Sequence, residues 1–260
     1  MIKNKFSVKN KVIVVCGGSG QLGKSLIKFL LQKKAIIINL DLFKYSNNKK
    51  NYFFYNLDLR NEKDVVSKIK IISSRFKKID VLINLFHYKG KRTLKPNNNF
   101  FSEFHNYSFE YWNDTVNTNL DGLFLICKSV IGEMIKNKSG IILNTSSTYG
   151  LNSPKHFIYG KSGINSPISY ATTKAAIINF TKYLATYYSK YNIRINTISP
   201  GGIENKNQSK NFKKQYLKQT PLNRMAKDSE YNEAILFLIS DASSYMTGAN
   251  LIIDGGWTAW

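Results

Sequence analysis

Acidic residues are scarce in this chain: 16 Asp and Glu stand against 38 Lys and Arg in 260 residues, a formal net charge of +22. Such a balance suits a partner with negative charge, nucleic acid included. The lysines, however, are spread along the whole chain among asparagine and isoleucine and are not gathered in one helix or tail. They read as a solvated basic surface that steers anionic ligands, so nucleic acid is not an expected partner. Cysteine is nearly absent. Cys16 and Cys127 lie far apart with no second pair, which argues against a disulfide framework or a cysteine metal cluster. His87, His105 and His156 are the three histidines and show no metal-ligand spacing, so no metal is expected. No apolar run approaches the roughly 18 residues of a membrane span. The apolar stretch from Val12 to Val15 is too short for a signal peptide and enters a glycine loop, so a cytoplasmic protein without a membrane partner is expected.

Hydrophobic residues make up 43% of the chain, enough for a proper core, and neither a repeat nor a linker divides it. The expectation is one α/β domain over 1–260. Apolar strand patterns end at Cys16, Asp41, Asp58, Asn84, Ser147, Ile203 and Asp254, with helical patterns between most of them, including a long helix from Phe109 to Lys136. Alternating strands and helices imply a seven-stranded parallel sheet, doubly wound with helices on both faces, a three-layer α/β/α sandwich of Rossmann type. Ligands then belong at the carboxyl ends of the strands, where Cys16, Asp41, Asp58 and Asn84 fall together. Three stretches near 86–107, 151–168 and 204–222 read as substrate loops. The first carries Lys89, Lys91, Arg92 and Lys95, which could meet an anionic substrate; the third is polar and lysine-rich, as a mobile lid would be.

The first strand runs into Gly18-x-Gly20-x-x-Gly23 and then into a helix face of Leu22, Leu26, Phe29 and Leu30. Glycines there permit a tight turn and let backbone amides and a helix N-terminus approach a pyrophosphate. Asp41 follows Gly23 by 18 positions, close to the ~20 of a ribose-binding carboxylate. A carboxylate accepts hydrogen bonds from ribose hydroxyls and repels a 2′-phosphate, so NAD is favoured over NADP, with Lys44 the one nearby cation that could accommodate that phosphate. Asp58 is placed either to meet an adenine edge or to cap the helix that begins near Asn61.

Tyr170 and Lys174 stand four residues apart, one turn along one helix face, where the ammonium can reach toward the phenol. A fixed cation favours phenolate and moves the proton's affinity toward the working pH. Tyr45 and Lys49 share the spacing but sit in a polar run without helical pattern. Tyr170 instead opens a helical pattern of Ala171, Ala175, Ile178 and Tyr183, with Ser169 in the N-cap position. Asn119, inside the long helix, is neither a strong helix former nor a good core residue and is expected to hold a polar network.

Taken in order, the glycine turn, Asp41, Asp58 with Leu59, Asn84, Asn119, Ser147, Tyr170 with Lys174, Pro200 with Gly201, and the Asp254-Gly-Gly ending resemble the short-chain dehydrogenase/reductase family, classical type, over nearly the whole chain. The resemblance implies that Tyr170 is the acid/base, that Ser147 hydrogen-bonds the reacting oxygen, that Lys174 binds the nicotinamide ribose and lowers the Tyr170 pKa, and that Asn119 anchors a proton-carrying water. It implies cofactor contacts from Gly17, Ser19, Gly20, Gln21, Leu22, Gly23, Asp41, Asp58, Leu59, Asn84, Tyr170, Lys174, Pro200, Gly201 and Ile203. Of Ser146 and Ser147 the latter is chosen because it lies three positions before Gly150, as in the family pattern. The chain departs from that pattern at Cys16, at Asn84-Leu-Phe-His87, and in the 23 positions from Ser147 to Tyr170, a longer interval than the family's. The extra segment, Lys155 to Ser166, has to loop out if the two hydroxyls are to share a substrate oxygen, and would then wall the substrate pocket. Its length and the basic loops resemble the flagellin-modification and surface-sugar branch. The implied function is NAD-dependent hydride transfer between nicotinamide and the carbonyl or secondary alcohol of a sugar or nucleotide sugar, by a homodimer or homotetramer. A 3-oxoacyl reductase of the same family and a non-catalytic binding protein on the same scaffold are the alternatives.

Overall fold

The computed structural model describes residues 4–88, 101–162 and 164–260. Seven strands, β1 (Val12–Cys16), β2 (Ile36–Asp41), β3 (Tyr52–Asn56), β4 (Val81–Asn84), β5 (Gly140–Thr145), β6 (Ile193–Pro200) and β7 (Asn250–Ile253), form one sheet in the order β3-β2-β1-β4-β5-β6-β7. Every neighbouring pair is parallel. The Val and Ile runs explain the arrangement: β1 and β4 are buried at every position, which only a sheet covered on both faces allows. This is a Rossmann-type α/β fold.

Helices α1 (Gln21–Gln32) and α7 (Asn232–Leu238) cover one face, where Leu26, Ile27, Leu30, Ile235 and Leu238 meet Ile13, Val15, Ile37 and Ile83. Helices α2 (Glu62–Phe76), α4 (Gly122–Lys136) and α5 (Ile168–Tyr188) cover the other, with Ile69, Ile126, Val130 and Ile177 against Val14, Ile38, Leu82 and Ile142. The short α3 (Phe109–Val116) leads into α4, and α6 (Lys210–Lys218) lies over a third, smaller cluster of Ile158, Tyr216, Met225 and Trp257. Strand order reverses between β1 and β4, so the chain leaves those two strands toward opposite faces and a crevice forms outside their carboxyl ends. Among the described residues, no helix is long and apolar enough to cross a membrane.

Two sequence expectations are corrected. The helix expected to run unbroken from Phe109 to Lys136 is interrupted by a π-helical turn, Asn117–Asp121, a feature frequent at functional sites. The cause is Asn119, whose side chain is drawn into bonds outside its own helix, as described below. Ser169 does not cap α5: the helix starts at Ile168, directly after Pro167. The Ser169 hydroxyl instead donates to Thr115 Oγ1 at 3.1 Å and pairs with the Tyr107 phenol at 2.9 Å, fastening α5 to α3 and the segment before it.

Cys16 on β1 and Cys127 on α4 are both buried and unbridged. Burial pushes the Cys127 thiol up to about 12, and burial, then Cys127 and Asp41, push Cys16 well above its ordinary value. Since the thiolate is the reacting form, the native protein is expected to leave a disulfide reagent such as DTNB unreduced at about pH 8, both thiols appearing only on denaturation. Reaction of either thiol in the native state would show that the packing between β1 and α4 opens.

Candidate active site

At the carboxyl end of β1 the chain turns through Gly17, whose φ of +80° L side chains rarely adopt and whose added Cβ would lie 2.6 Å from the Phe86 nitrogen. Gly23 sits in the first turn of α1 against Gly18, where a Cβ would fall 2.5 Å from the Gly18 Cα. The turn is therefore tight by necessity. Gly20 caps α1 with no side-chain hydrogen bond, and the first turn carries no acid. The amides and positive dipole end of a twelve-residue helix are thus not neutralised by the chain itself. Asp41, at the end of β2, accepts the Ser19 N–H through Oδ2 at 2.9 Å and the Phe43 N–H through Oδ1 at 3.1 Å. Ser19 in turn donates its hydroxyl to the Phe43 carbonyl at 2.6 Å. The carboxylate is held in place beside the glycine turn, and each oxygen keeps a further lone pair for an incoming hydroxyl.

Asp58 lies just beyond β3 and does not cap α2; Asn61 does, accepting from the Asp64 N–H. Its carboxylate is forked by Arg60, with Nη2 to Oδ2 at 2.6 Å and Nε to Oδ1 at 3.0 Å. Those hydrogen bonds hold the Asp58 carboxyl below the usual carboxylate range, opposed by a smaller upward push from burial. Leu59 beside it is buried. The Asn84 side chain turns away from the crevice and into the core. It donates to Asn144 Oδ1 at 2.9 Å, and Asn144 donates to Thr181 on α5 at 2.9 Å. What Asn84 offers the crevice is its backbone at the end of β4.

The Ser147 to Tyr170 interval closes on itself. Ser146, 2% exposed, donates its hydroxyl to the Lys174 carbonyl at 2.6 Å. Lys174, equally buried, donates Nζ to the Thr145 carbonyl at 2.7 Å. Gly150 is pressed so closely on α5 that an added Cβ would lie 2.7 Å from the Lys174 oxygen. The end of β5 is thereby stitched to the turn of α5 that bears Tyr170, and the Ser147 turn (Thr148–Gly150) packs on that helix. Ser147 Oγ accepts the Tyr149 N–H at 3.2 Å, a bond that does not use the hydroxyl's own proton. Tyr170 is 6% exposed, with Lys174 Nζ 5.8 Å from its ring centroid and the His87 ring edge-on at 6.1 Å. Asn119 accepts the Tyr88 N–H at 2.7 Å and donates to the Tyr88 carbonyl at 3.1 Å and to the Thr173 hydroxyl at 3.1 Å. One amide side chain thus binds the segment after β4 to the helix of Tyr170, at the expense of regular α-helix.

Pro200 ends β6, and the turn after it is fixed by Gly201 N–H to the Ile253 carbonyl at 2.8 Å, by Gly202 N–H to the Tyr216 phenol at 2.6 Å, and by the bridge of Ile203 to Ala226. Gln21, at the start of α1, donates to the Glu204 carbonyl at 2.8 Å and accepts from Asn205 at 3.1 Å. The third loop is therefore tied across the mouth of the glycine turn, and part of it is the regular helix α6, capped by Ser209. The extra segment also has an anchor: the turn His156–Tyr159 packs on α6, and Lys155 donates to Gln219 at 2.9 Å. Lys89, Lys91, Arg92 and Lys95 lie outside the described residues. Sequence reasoning weighed Ser146 only as a rival to Ser147, and missed Asn144, Thr145 and Thr173, the buried partners of Asn84, Lys174 and Asn119, with Thr181 behind Asn144. Their one local signal was polar residues at positions that otherwise read as apolar.

The glycine turn, the uncapped start of α1 and the held Asp41 carboxylate are what a dinucleotide requires of its pyrophosphate and ribose contacts. Comparison with known proteins agrees. The family model described as enoyl-(acyl carrier protein) reductase matches residues 41–258. A 3-oxoacyl-[acyl-carrier-protein] reductase of Chlamydia trachomatis is 32% identical over 260 residues, covering 95% of this chain and 97% of that protein. Post-translational flagellin modification protein A of Campylobacter coli is 29% identical, covering 96% of this chain and 99% of that protein. The crystal structure of a short chain dehydrogenase from Leptospira borgpetersenii with bound NAD+ superposes with a TM-score of 0.90 at 36% identity, covering 99% of this chain and 97% of that one.

Proposed function

The chain belongs to the short-chain dehydrogenase/reductase family, an NAD(P)-dependent oxidoreductase family, and from that premise we propose that it interconverts a carbonyl and a secondary alcohol at Tyr170, with NAD as its cofactor and a sugar or nucleotide sugar as its substrate. When bound, the nicotinamide ring supplies or accepts the hydride. In reduction Tyr170 gives its phenol proton to the carbonyl oxygen, and in oxidation it takes that proton back. Ser147 donates to the same oxygen and holds it beside the phenol. Lys174 orients the nicotinamide ribose, and Asn119 braces the helix turn below Tyr170 and anchors the proton's way out. The observation that carries this reading is the reciprocal bonding of Ser146 to the Lys174 carbonyl and of Lys174 to the Thr145 carbonyl, which brings the Ser147 turn to Tyr170 despite the long detour between them.

Asp41 supports the choice of cofactor, because a fixed carboxylate at the ribose repels a 2′-phosphate. NADH is expected to bind at least about tenfold more tightly than NADPH, a difference of about 1.4 kcal/mol, and Asp41→Asn to narrow the gap. Fluorescence titration of both reduced cofactors checks this; tighter binding of NADPH would reverse the assignment. The flagellin modification relative supports the branch whose resemblance implies a sugar or nucleotide-sugar substrate. A second reading, reduction of a 3-oxoacyl thioester, is favoured by the name of the chlamydial relative. Turnover of nucleotide sugars against acetoacetyl thioesters with NADH separates the two readings.

A further inference from the structure

Tyr149 stands two residues beyond Ser147 and donates its backbone N–H to the Ser147 hydroxyl oxygen. Its phenol meets the phenol of Tyr159 at 3.2 Å. Tyr159 belongs to the extra segment between Ser147 and Tyr170, the part of the chain that lengthens the interval. Burial above all, then Tyr159, Tyr216 and Tyr170, raise the pKa of Tyr149, so its phenol keeps its proton at neutral pH.

The pair is backed by a layer that fixes it. The Tyr159 ring stacks on Phe212 of α6 at 5.4 Å between centroids, Tyr216 stacks on Trp257 at 4.2 Å, and Lys155 Nζ lies 5.0 Å from the Trp257 ring while donating to Gln219. Ile158, fully buried, packs beneath. The extra segment is therefore joined to α6 and the chain's C-terminal residues as one body, with the two phenol hydroxyls held together at the serine turn.

We propose that the Tyr149 and Tyr159 hydroxyl pair is the specificity element of the site, selecting substrates that carry further hydroxyl groups next to the reacting carbon. The proposal rests on the oxidoreductase reading above and deepens it. Phenols held among aromatic rings hydrogen-bond a polyhydroxylated chain or ring, whereas an alkyl chain covers them without bonding and leaves them desolvated, which disfavours it. The pair thereby distinguishes a sugar-like substrate from an acyl one.

The test compares the wild type with Tyr149→Phe and Tyr159→Phe, changes that keep each ring's volume, using NAD+ with xylitol, gluconate and UDP-glucose as hydroxyl-rich probes and cyclohexanol and 3-hydroxybutyryl thioester as hydroxyl-poor ones. The wild type is expected to prefer its best hydroxyl-rich probe, and each variant to lose at least about tenfold more kcat/KM on that probe than on cyclohexanol, mainly through KM. Equal losses on both classes indicate a structural tether only and overturn the proposal. So does a wild type that binds NADH and turns over only hydroxyl-poor probes, or none. Absence of NADH binding to the wild type defeats the oxidoreductase reading itself.

Discussion

Replacing Tyr170 by phenylalanine is expected to lower kcat by about 10³-fold, within the range for loss of a positioned general acid or base, while NADH binding stays within about twofold. The ring is buried against His87 and Lys174, phenylalanine fills the same space, and the bonds that stitch β5 to α5 run through Ser146, Lys174 and the Thr145 carbonyl. What is removed is the proton's donor and acceptor. Steady-state rates with titrated cofactor binding check the split. A variant with wild-type kcat would remove Tyr170 from the chemistry, and one that also lost NADH would show that the phenol holds the dinucleotide.

The second large effect is expected at Gly23. A valine there places a Cβ 2.5 Å from the Gly18 Cα and 2.6 Å from the Gly18 oxygen, backbone atoms that cannot turn aside as a side chain would. The glycine turn has to open, at a cost of about 1–3 kcal/mol for overpacking. Opening moves the amides at the start of α1 away from where a pyrophosphate would meet them. Losing one or two such bonds to a charged group, each worth about 1.5–3 kcal/mol, weakens NADH by about 10²-fold or more. Fluorescence titration, with thermal melting to confirm the fold, tests this. A folded Gly23→Val protein with wild-type affinity would mean that the dinucleotide does not lie on this turn.

Much of the architecture could be read from local pattern, because each strand needs only a short apolar run and a stop. The run that ends at Cys16 before the glycines and the run that ends at Asp41 state their own limits, whereas β5 stops at Thr145, two residues short of the Ser147 expected from the pattern. The order of Asp41, Asn119, Ser147, Tyr170 and Lys174 stood out only as a resemblance to the family, since each residue type and even the Tyr-Lys spacing recurs elsewhere in the chain. What local pattern could not supply was partnership across long separations. Asn119 leaves the α-helical register because the backbone of Tyr88, on another segment, presents a donor and an acceptor to it. No periodicity within Phe109 to Lys136 announces that. Asn84 reads as a crevice residue by its place at a strand end, but the pleat turns its side chain toward Asn144, its β5 register partner. The extra segment was legible as a loop; its fusion to α6 through Tyr159 and Phe212 depends on residues more than fifty positions apart.

The most direct test of the whole account is a crystal structure of this chain with NAD+ bound. The account predicts the pyrophosphate over the glycine turn, the adenosine ribose on Asp41, and the Ser147 and Tyr170 hydroxyls both aimed at one point beside the nicotinamide ring, each within about 3 Å of a shared substrate oxygen. A structure with the dinucleotide elsewhere, or with those two hydroxyls facing separate spaces, would contradict it.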